Sequence, residues 1–240
     1  MRIDFTSEDE MEPTTVETTD SAETKPMSVA DRRLREFARR ENEILQAALS
    51  LFDGDDWEHV TIDKIAAKAE IGKGTVYKHF VSKDEIYARL AIRLDQDLLA
   101  HLSEIDDTLP ALSQLKAFIV HYWAQTDLDM AQRNLAQFCG REAFRNRLSI
   151  VTRAEWGGIE HAIRDQFIKI LQQGMSEEIF RPLPDDLLLQ GPFATLHGAV
   201  RLSWRNGAGA GRPERLDELI HYIVLGIATK PGRKLFKKGL

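Results

Sequence analysis

The residues with the clearest chemical meaning lie in one short stretch, KGTVYKH, at residues 73–79. Its two lysines can neutralise phosphates or donate to guanine edges, and Thr75 can contact a base or a thymine methyl group. Tyr77 and His79 can donate hydrogen bonds to phosphate oxygens. Such residues, spaced along a single short segment, are typical of a helix that lies in the major groove of double-stranded DNA.

The segment before this stretch predicts the first half of a helix-turn-helix. Apolar residues recur at spacings of three and four over residues 62–69, which indicates a short helix. Thr61 stands where its hydroxyl can cap that helix, and a tight turn follows at residues 70–72. A longer first helix, over residues 32–53, would support both short helices.

The residues within and after the stretch predict how it is held. Val76 and Phe80 are its inward-facing apolar positions, and Gly74 lets the backbone approach DNA closely. Ser82, followed three residues later by Glu85, predicts a capping box at the start of a fourth helix. The predicted DNA-binding residues are therefore Thr61, Lys73, Gly74, Thr75, Tyr77, Lys78, His79 and Lys83.

The stretch from Thr61 to Lys83 resembles the signature of the TetR family of transcriptional regulators, T-x-x-x-I-A-x-x-A-G-V-S-x-G-T-x-Y-x-H-F-x-S-K. The positions that match in register are Thr61, Ile65, Ala66, Ala69, Gly74, Thr75, Tyr77, His79, Phe80, Ser82 and Lys83. The resemblance covers residues 32–93 and is highly specific, because composition alone would rarely place so many fixed residues in register.

Two departures concern the turn. Glu70 stands where the family often has Gly, and a left-handed backbone there would cost roughly 1 kcal/mol; Gly72 replaces the usual capping Ser.

The other motifs do not support an enzyme. Residues 72–75, GKGT, lack the preceding strand and the Ser or Thr after Lys that a phosphate loop requires. G-x-S-x-G and H-E-x-x-H are absent, and the histidines of the body are too far apart along the chain to suggest a metal site. We predict no catalytic residues, no cofactor and no metal. A structural three-helix unit without a role in DNA binding remains an alternative for the head.

Charge is distributed unevenly along the chain. Residues 1–30 hold eight acidic and two basic residues, which accounts for the whole net charge of −6. This segment nearly lacks aliphatic residues and predicts a disordered acidic tail, whereas residues 230–240 predict a frayed basic tail.

The single cysteine, Cys139, excludes a disulfide framework. Since no apolar stretch suits a membrane span or a secretory signal, we expect a cytoplasmic protein without a membrane partner.

The apolar periodicity is helical almost everywhere after residue 31, and no convincing strand occurs. We predict an all-α chain of about nine helices. An N-terminal three-helix, helix-turn-helix DNA-binding head (31–81) precedes a C-terminal helical ligand-binding and dimerisation bundle (82–229). The fourth helix is predicted to end near residue 104, and further helices are predicted over 111–125, 128–144, 149–174, 185–205 and 213–229. Pro192 should kink the helix in which it lies.

The resemblance implies that the body binds a small-molecule inducer and pairs two subunits through its last two helices. The predicted pocket residues are Trp123, Phe138, Arg141, Phe144, Trp156 and Phe167. Arg141 could pair with an anionic ligand or form a surface salt bridge, and the aromatic residues could belong to an ordinary core. The predicted dimer residues are Leu188, Thr195, Gly198, Leu202, Ile220, Ile223 and Ile227. Their spacing suits a seam between helices, although both stripes could instead face the subunit's own core.

Together these predictions describe a homodimeric repressor that binds operator DNA and releases it when an inducer of unknown identity binds. Two alternatives remain at this point. One is a constitutive DNA-binding regulator of the same fold with a filled body, and a cavity in the body would distinguish it from the first. The other is a helical protein-interaction module whose head has lost DNA binding.

Overall fold

The computed structural model describes residues 28–53, 57–205 and 213–238. Within these ranges the fold is all-helical, as predicted, apart from one isolated bridge between Phe180 and Ala228. The predicted acidic tail, except its last three residues, and the glycine-rich boundary at 206–211 lie outside the described residues. The chain up to Ala38 forms a separate unit, and the packing described below belongs to the unit that begins at Arg39.

The first four α-helices are α1 (Val29–Ser50), α2 (Ile62–Lys68), α3 (Lys73–His79) and α4 (Lys83–Ser103), with 3-10 turns at Leu51–Asp53 and Trp57–His59. The later helices are α5 (Ala111–Trp123), α6 (Met130–Cys139), α7 (Glu142–Arg145), α8 (Ile150–Ser176), α9 (Asp185–Leu188), α10 (Ala194–Arg205), α11 (Pro213–Ile227) and α12 (Lys230–Lys237). A 3-10 turn, Ala124–Asp127, follows α5, and a π turn, Leu189–Phe193, joins α9 to α10.

Local side-chain chemistry fixes the helix-turn-helix as the sequence predicts. The Thr61 hydroxyl accepts a hydrogen bond from the Lys64 backbone N–H at 3.2 Å and so caps α2. Glu70 has a φ of 55°, which places a glutamate in the left-handed region. Gly72 is the N-cap of α3 and has no side chain with which to close the first turn. The left-handed backbone of Glu70 carries a modest cost in strain, whereas Gly72 has an extended backbone and lacks only a side-chain cap.

Two of the predicted body helices are interrupted. The segment over 128–144 forms α6 and α7, because a capping box between Asp129 and Gln132 starts α6 and the chain leaves the helix at Gly140. The segment over 185–205 is broken by the π turn around Pro192, which has no N–H to donate to the helical ladder. The predicted kink at Pro192 thus takes the form of a π turn.

The sequence predicts a frayed tail over residues 230–240. This prediction is wrong for Lys230–Lys237, which form α12. The Thr229 hydroxyl accepts a hydrogen bond from the Gly232 N–H at 3.1 Å and caps this helix. Gly232 is buried, and a β-carbon there would lie 2.2 Å from the Ile179 carbonyl oxygen. The Lys116 ammonium group lies 5.1 Å from the centre of the Phe236 ring. Docking of this basic segment depends on tertiary contacts that its own pattern does not reveal.

Two hydrophobic cores position the functional surfaces. The first, the head core, joins α1–α4 to α6 through buried residues such as Phe52, Ile65, Val76, Tyr87 and Leu135. The second, the body core, lies among α4, α5, α8, α10 and α11 and includes Leu102, Phe118, Phe167, Leu196 and Val224. Helix α4 contributes to both cores, so it links the head to the body.

Candidate functional sites

Helix α3 presents a polar face outward and is anchored by its apolar residues. Val76 is fully buried and Phe80 is 6% exposed, whereas the Tyr77 side chain is 50% exposed. The other predicted contact residues of α3 lie at the same surface: Lys73, Gly74 and Lys78 are exposed, and Thr75 and His79 are partly exposed. The structure therefore brings the predicted residues of α3 together on one accessible surface.

Three of the predicted DNA-binding residues also have partners within the protein. Lys73 Nζ lies 2.9 Å from the Asp63 carboxylate, and this hydrogen bond raises the pKa of Lys73. Both side chains are exposed, so solvent and salt weaken the pair. Lys83 Nζ donates to the Val60 carbonyl oxygen at 2.8 Å, and the hydroxyl of Thr61 caps α2. A bound phosphate would have to share or replace these partners.

The predicted capping box at the start of α4 is only half formed. The Ser82 hydroxyl accepts from the Glu85 backbone N–H at 3.2 Å. The Glu85 carboxylate, however, accepts from the Thr152 hydroxyl at 2.6 Å and from the Ser149 N–H at 3.3 Å, both at the start of α8. Tertiary partners have thus taken the side chain that the local pattern assigned to the cap, and they fasten the head end of α4 to α8.

A cavity of about 210 Å³ lies in the body between α4, α5, α8 and α10. An engineered cavity of about 150 Å³ in another protein binds benzene, so this volume is enough for a small organic molecule. The charged residues of its wall are Asp95, Arg145, Glu160, Arg164 and Arg201. The aromatic residues of its wall are Tyr122, Trp156, Phe193 and Trp204.

Asp95 is an acid of this wall whose pKa is shifted well above its usual value. Burial raises the pKa of Asp95 to about 6, and the negative charge of Glu160 adds to the rise. The Trp156 indole N–H donates to Asp95 Oδ2 at 2.6 Å, and this hydrogen bond partly offsets the rise in the pKa of Asp95. Arg145 donates to Glu160 and stacks on the Trp156 ring, 3.3 Å from its centre. These four residues form a connected polar network on one side of the cavity.

A neutral pair lies on another part of the wall. The Tyr122 hydroxyl and His197 Nδ1 are 2.7 Å apart. Burial raises the pKa of Tyr122, whereas burial and the nearby Arg201 lower the pKa of His197. Both side chains are therefore uncharged near neutral pH, and they add hydrogen-bonding capacity to the cavity without adding charge.

The structure corrects the predicted positions of most pocket residues. Trp156 lies in the cavity wall, whereas Trp123 and Phe167 pack in the body core outside it. Phe138 and Phe144 contact each other at 5.2 Å between ring centres and pack with the head core. Arg141 lies over the Phe138 ring at 5.4 Å. Helix α6 itself packs against the head core through Ala131, Leu135 and Cys139. The apolar periodicity of the sequence does not reveal which core this helix joins.

The polar residues of the cavity were missed, although the sequence holds a signal for them. Asp95 follows Ala91 by four residues and precedes Leu98 by three, so it interrupts an apolar face of α4 with a carboxylate. In α10, His197 and Arg201 follow Phe193, the last residue of the π turn, at intervals of four residues. Charged groups on an otherwise apolar helical face could have indicated a polar cavity.

The predicted dimer residues divide between two faces. Leu188, Ile220, Ile223 and Ile227 are buried in the subunit's own body core, so the alternative for that stripe is correct. Leu202 is 57% exposed, and Thr195 and Gly198 are partly exposed. They belong to a surface that we term the outer face of α10 and α11, made of Gly191, Thr195, Gly198, Leu202, Tyr222 and Gly226. A groove of about 550 Å³ lies on this face.

Two classes of feature are absent from the described residues. No helix there has both the length and the apolar character that a membrane span requires. In the same part of the chain, no three histidine, cysteine, aspartate or glutamate residues cluster in a way that could hold a metal ion.

Comparison with known proteins relates both the head and most of the chain to bacterial regulators. Residues 44–90 match the family model described as "Bacterial regulatory proteins, tetR family". The HTH-type transcriptional repressor KstR2 of Mycobacterium tuberculosis is 28% identical over 207 residues, which cover 84% of this chain and 99% of that protein. The HTH-type transcriptional regulator TcmR of Streptomyces glaucescens is 33% identical over 89 residues, which cover 35% of this chain and 39% of that protein.

Solved structures share the fold over most of the chain. The ketosteroid transcriptional regulator KstR2 of Mycobacterium tuberculosis has a TM-score of 0.60 and 25% identity, with 80% of this chain and 96% of that chain covered. The transcriptional regulator FadR from Bacillus subtilis, solved in complex with stearoyl-CoA, has a TM-score of 0.63 and 21% identity, with 78% and 98% covered.

Proposed function

Because this chain belongs to the TetR family of bacterial regulatory proteins, we propose that it is a ligand-responsive transcriptional repressor. It binds operator DNA through α3 and releases it when a small molecule fills the cavity of the body. It acts in the cytoplasm as a DNA-binding regulator and not as an enzyme. The assignment as a repressor follows KstR2, a repressor by name that aligns with most of the chain.

The observation that carries this proposal is the composition of the exposed surface of α3. Lys73 and Lys78 offer positive charge, Tyr77 offers a hydroxyl donor, and Val76 holds the helix against the head core. Phosphate contacts fix the register of such a helix on DNA, whereas base contacts supply its sequence preference. We assign Tyr77, Lys78, His79, Thr61 and Lys83 to the phosphate backbone, and Lys73, Gly74 and Thr75 to the bases.

The cavity supports regulation by a ligand in preference to constitutive DNA binding. Asp95 lies in the cavity wall, and it belongs to the same helix as Ser82, which follows the end of α3 by three residues. A ligand that favours one position of α4 would therefore change the position of the head. Any such coupling is reciprocal: operator DNA would weaken ligand binding by the same factor by which the ligand weakens DNA binding.

The outer face of α10 and α11 is the surface at which we place the second copy of the chain. Its three glycines, Gly191, Gly198 and Gly226, have open space where a β-carbon would lie, which suits close approach of a partner helix. Tyr222, which is 70% exposed, offers apolar area in the wall of the groove. A symmetric dimer built on this face would present two α3 helices to successive major grooves, roughly 34–36 Å apart.

The test is to measure DNA binding by variants of α3. Duplexes selected from a random pool by the unmodified protein provide the operator probe, and fluorescence anisotropy across a range of salt concentrations gives the affinities. We expect Lys78→Ala to weaken binding to all duplexes alike and to reduce the salt slope by about 1, because one phosphate contact is lost. Thr75→Ala should instead change which duplexes a new selection recovers.

Lys169→Ala is the matched control, since Lys169 is an exposed lysine on α8 in the body. It should bind the selected duplex as the unmodified protein does. The proposal fails if the unmodified protein selects no duplex, or if Lys78→Ala and Thr75→Ala leave both affinity and preference unchanged.

A further inference from the structure

The charged groups of the cavity are not balanced among themselves. Arg145 is committed to Glu160, to which it donates, and to the ring of Trp156. Arg164 and Arg201 also lie in the wall, and neither has a carboxylate partner among the residues that the structure describes. With both acids of the wall ionised, its three arginines still leave an excess of one positive charge, and protonation of Asp95 would increase that excess.

Arg201 is held in place by groups that do not neutralise it. Its guanidinium lies 5.3 Å from the centre of the Trp204 ring, and Nη1 is 3.4 Å from the carbonyl oxygen of Ala136. Gly140 makes room for it, because a β-carbon at that position would lie 2.7 Å from Arg201 Nη2. A guanidinium that is positioned by stacking and packing retains most of its donors for a ligand.

The rest of the wall favours a compact molecule with an apolar body. The cavity volume of about 210 Å³ is below the roughly 300–1,000 Å³ typical of sites for drug-sized ligands. Phe193 and Trp204 offer aromatic surface, and Leu94 and Leu98 offer aliphatic surface. The neutral pair of Tyr122 and His197 can complete the hydrogen bonds of a polar ligand group without opposing its charge.

We propose that the cavity binds a small organic acid, whose carboxylate is held by Arg164 and Arg201 and whose apolar body packs against the aromatic wall. This deepens the proposed function, on which it rests, by assigning the chemical class of the ligand that the regulator senses. A planar guanidinium matches a carboxylate with two parallel hydrogen bonds, and the pairing is strong where water is excluded. A cationic ligand would meet the repulsion of both arginines, and a neutral one would leave these partly buried charges without a counter-charge.

The test uses three probes that share one apolar body and differ in charge: 3-phenylpropanoate, 3-phenylpropanamide and 3-phenylpropylamine. Their binding to the full chain is measured by isothermal titration calorimetry at neutral pH, in the absence of DNA. We expect the acid to bind roughly ten- to hundredfold more tightly than the amide, because a charge-assisted hydrogen bond replaces a neutral one. The amine should bind more weakly than either.

Three variants assign the preference to these arginines. Arg164→Gln and Arg201→Gln should each reduce affinity for the acid about tenfold or more and change affinity for the amide little. Gly140→Ala keeps every charge but crowds the Arg201 guanidinium, so it should lower affinity for the acid in the same direction. Lys169→Gln removes a positive charge from the exposed face of α8, outside the cavity, and should leave all three affinities unchanged.

The inference is overturned if the amide or the amine binds as tightly as the acid, or if the acid shows no heat of binding at millimolar concentration. It is also overturned if the preference for the acid survives in both arginine variants. DNA binding by the same proteins is measured separately. Loss of the acid preference with intact operator binding would reject this inference alone, whereas acid binding without operator binding would reject the proposed function alone.

Discussion

The carboxylate of Asp95 is unfavourable for folding because of its burial, and it lies in the wall of the proposed ligand cavity. Its carboxylate is buried in the cavity wall, accepts a hydrogen bond from Trp156 and lies near the acidic Glu160. Burying a charged carboxylate is unfavourable unless it is fully paired. The protein retains this acid on an otherwise apolar face of α4, and groups that are kept at such a cost cluster at functional sites.

The unfavourable burial of Asp95 predicts a specific dependence of stability on pH. Its pKa of about 6 in the folded state lies above the usual 3.8, so the folded state binds the proton more tightly than the unfolded state. Its contribution to the free energy of unfolding therefore falls as pH rises from about 4 to about 6, and stays low above that range. We expect Asp95→Asn to exceed the unmodified protein in stability at pH 8 by up to about 3 kcal/mol, because Asn is neutral and can still accept from Trp156.

Urea unfolding of both proteins over a series of pH values measures this difference. Asp97→Asn, on the exposed side of the same helix, controls for the removal of an acidic side chain from α4. A stability difference between Asp95→Asn and the unmodified protein that is the same at low and high pH would contradict the prediction.

At the scale of single elements, α8 depends on a close contact at its C-terminal end. Gly174 is buried there, and a β-carbon on it would lie 2.1 Å from the ring of Phe180. Phe180 is itself buried in the body core, so the ring cannot move without repacking its neighbours. This contact fixes where the chain leaves α8 and turns toward α9.

We expect Gly174→Ala to destabilise the protein by about 1–3 kcal/mol, because overpacking outweighs the roughly 0.5–1 kcal/mol by which Ala is preferred to Gly in a helix. Gly158→Ala is the matched control on the same helix: its β-carbon would meet no atom within 4 Å, so only the helical preference acts and the variant should be slightly more stable. Chemical denaturation of the three proteins measures both effects. Equal stabilities for the two variants would show that the Phe180 contact is not limiting.

At the scale of the whole molecule, the two faces of α11 have different roles. Ile220, Ile223 and Ile227 complete the subunit's own core, whereas Tyr222 and Gly226 lie on the outer face. In the proposed dimer, only the outer face of α11, with Tyr222 and Gly226, contacts the partner subunit. Substitutions on the two faces should therefore have separable effects, on folding in one case and on association in the other.

Gly198→Glu tests the outer face without disturbing the subunit core, since the β-carbon of residue 198 would lie in open space. We expect this variant to fold and to sediment as a monomer, because two copies of a symmetric interface would bring two unpaired carboxylates together. Its affinity for the selected duplex should fall, because binding to two half-sites requires both heads. Gly158→Glu, with equally open space on α8, should remain dimeric; a dimeric Gly198→Glu protein would exclude this face as the interface.

The head could be read from the sequence because its determinants are local. Thr61 caps α2, Glu70 occupies the left-handed turn, and Val76 and Phe80 face inward, all within a segment of two short helices. Their spacing and the hydrogen-bonding capacity of each residue were enough to fix the boundaries of α2 and α3. The assignment of the exposed residues of α3 to DNA contacts remains a prediction.

The body could not be read in the same way, because long-range contacts decide it. Glu85 leaves its local cap for Thr152, residues 230–237 dock as a helix, and Phe138 packs with the head core and not in the wall of the cavity. Apolar periodicity identifies helices and their buried stripes, but it does not say which stripe meets the subunit's own core and which remains outside. Only the tertiary structure placed Ile223 inside and Tyr222 outside, and enclosed Arg164 and Arg201 in one cavity, because residues distant in sequence become neighbours only when the helices pack.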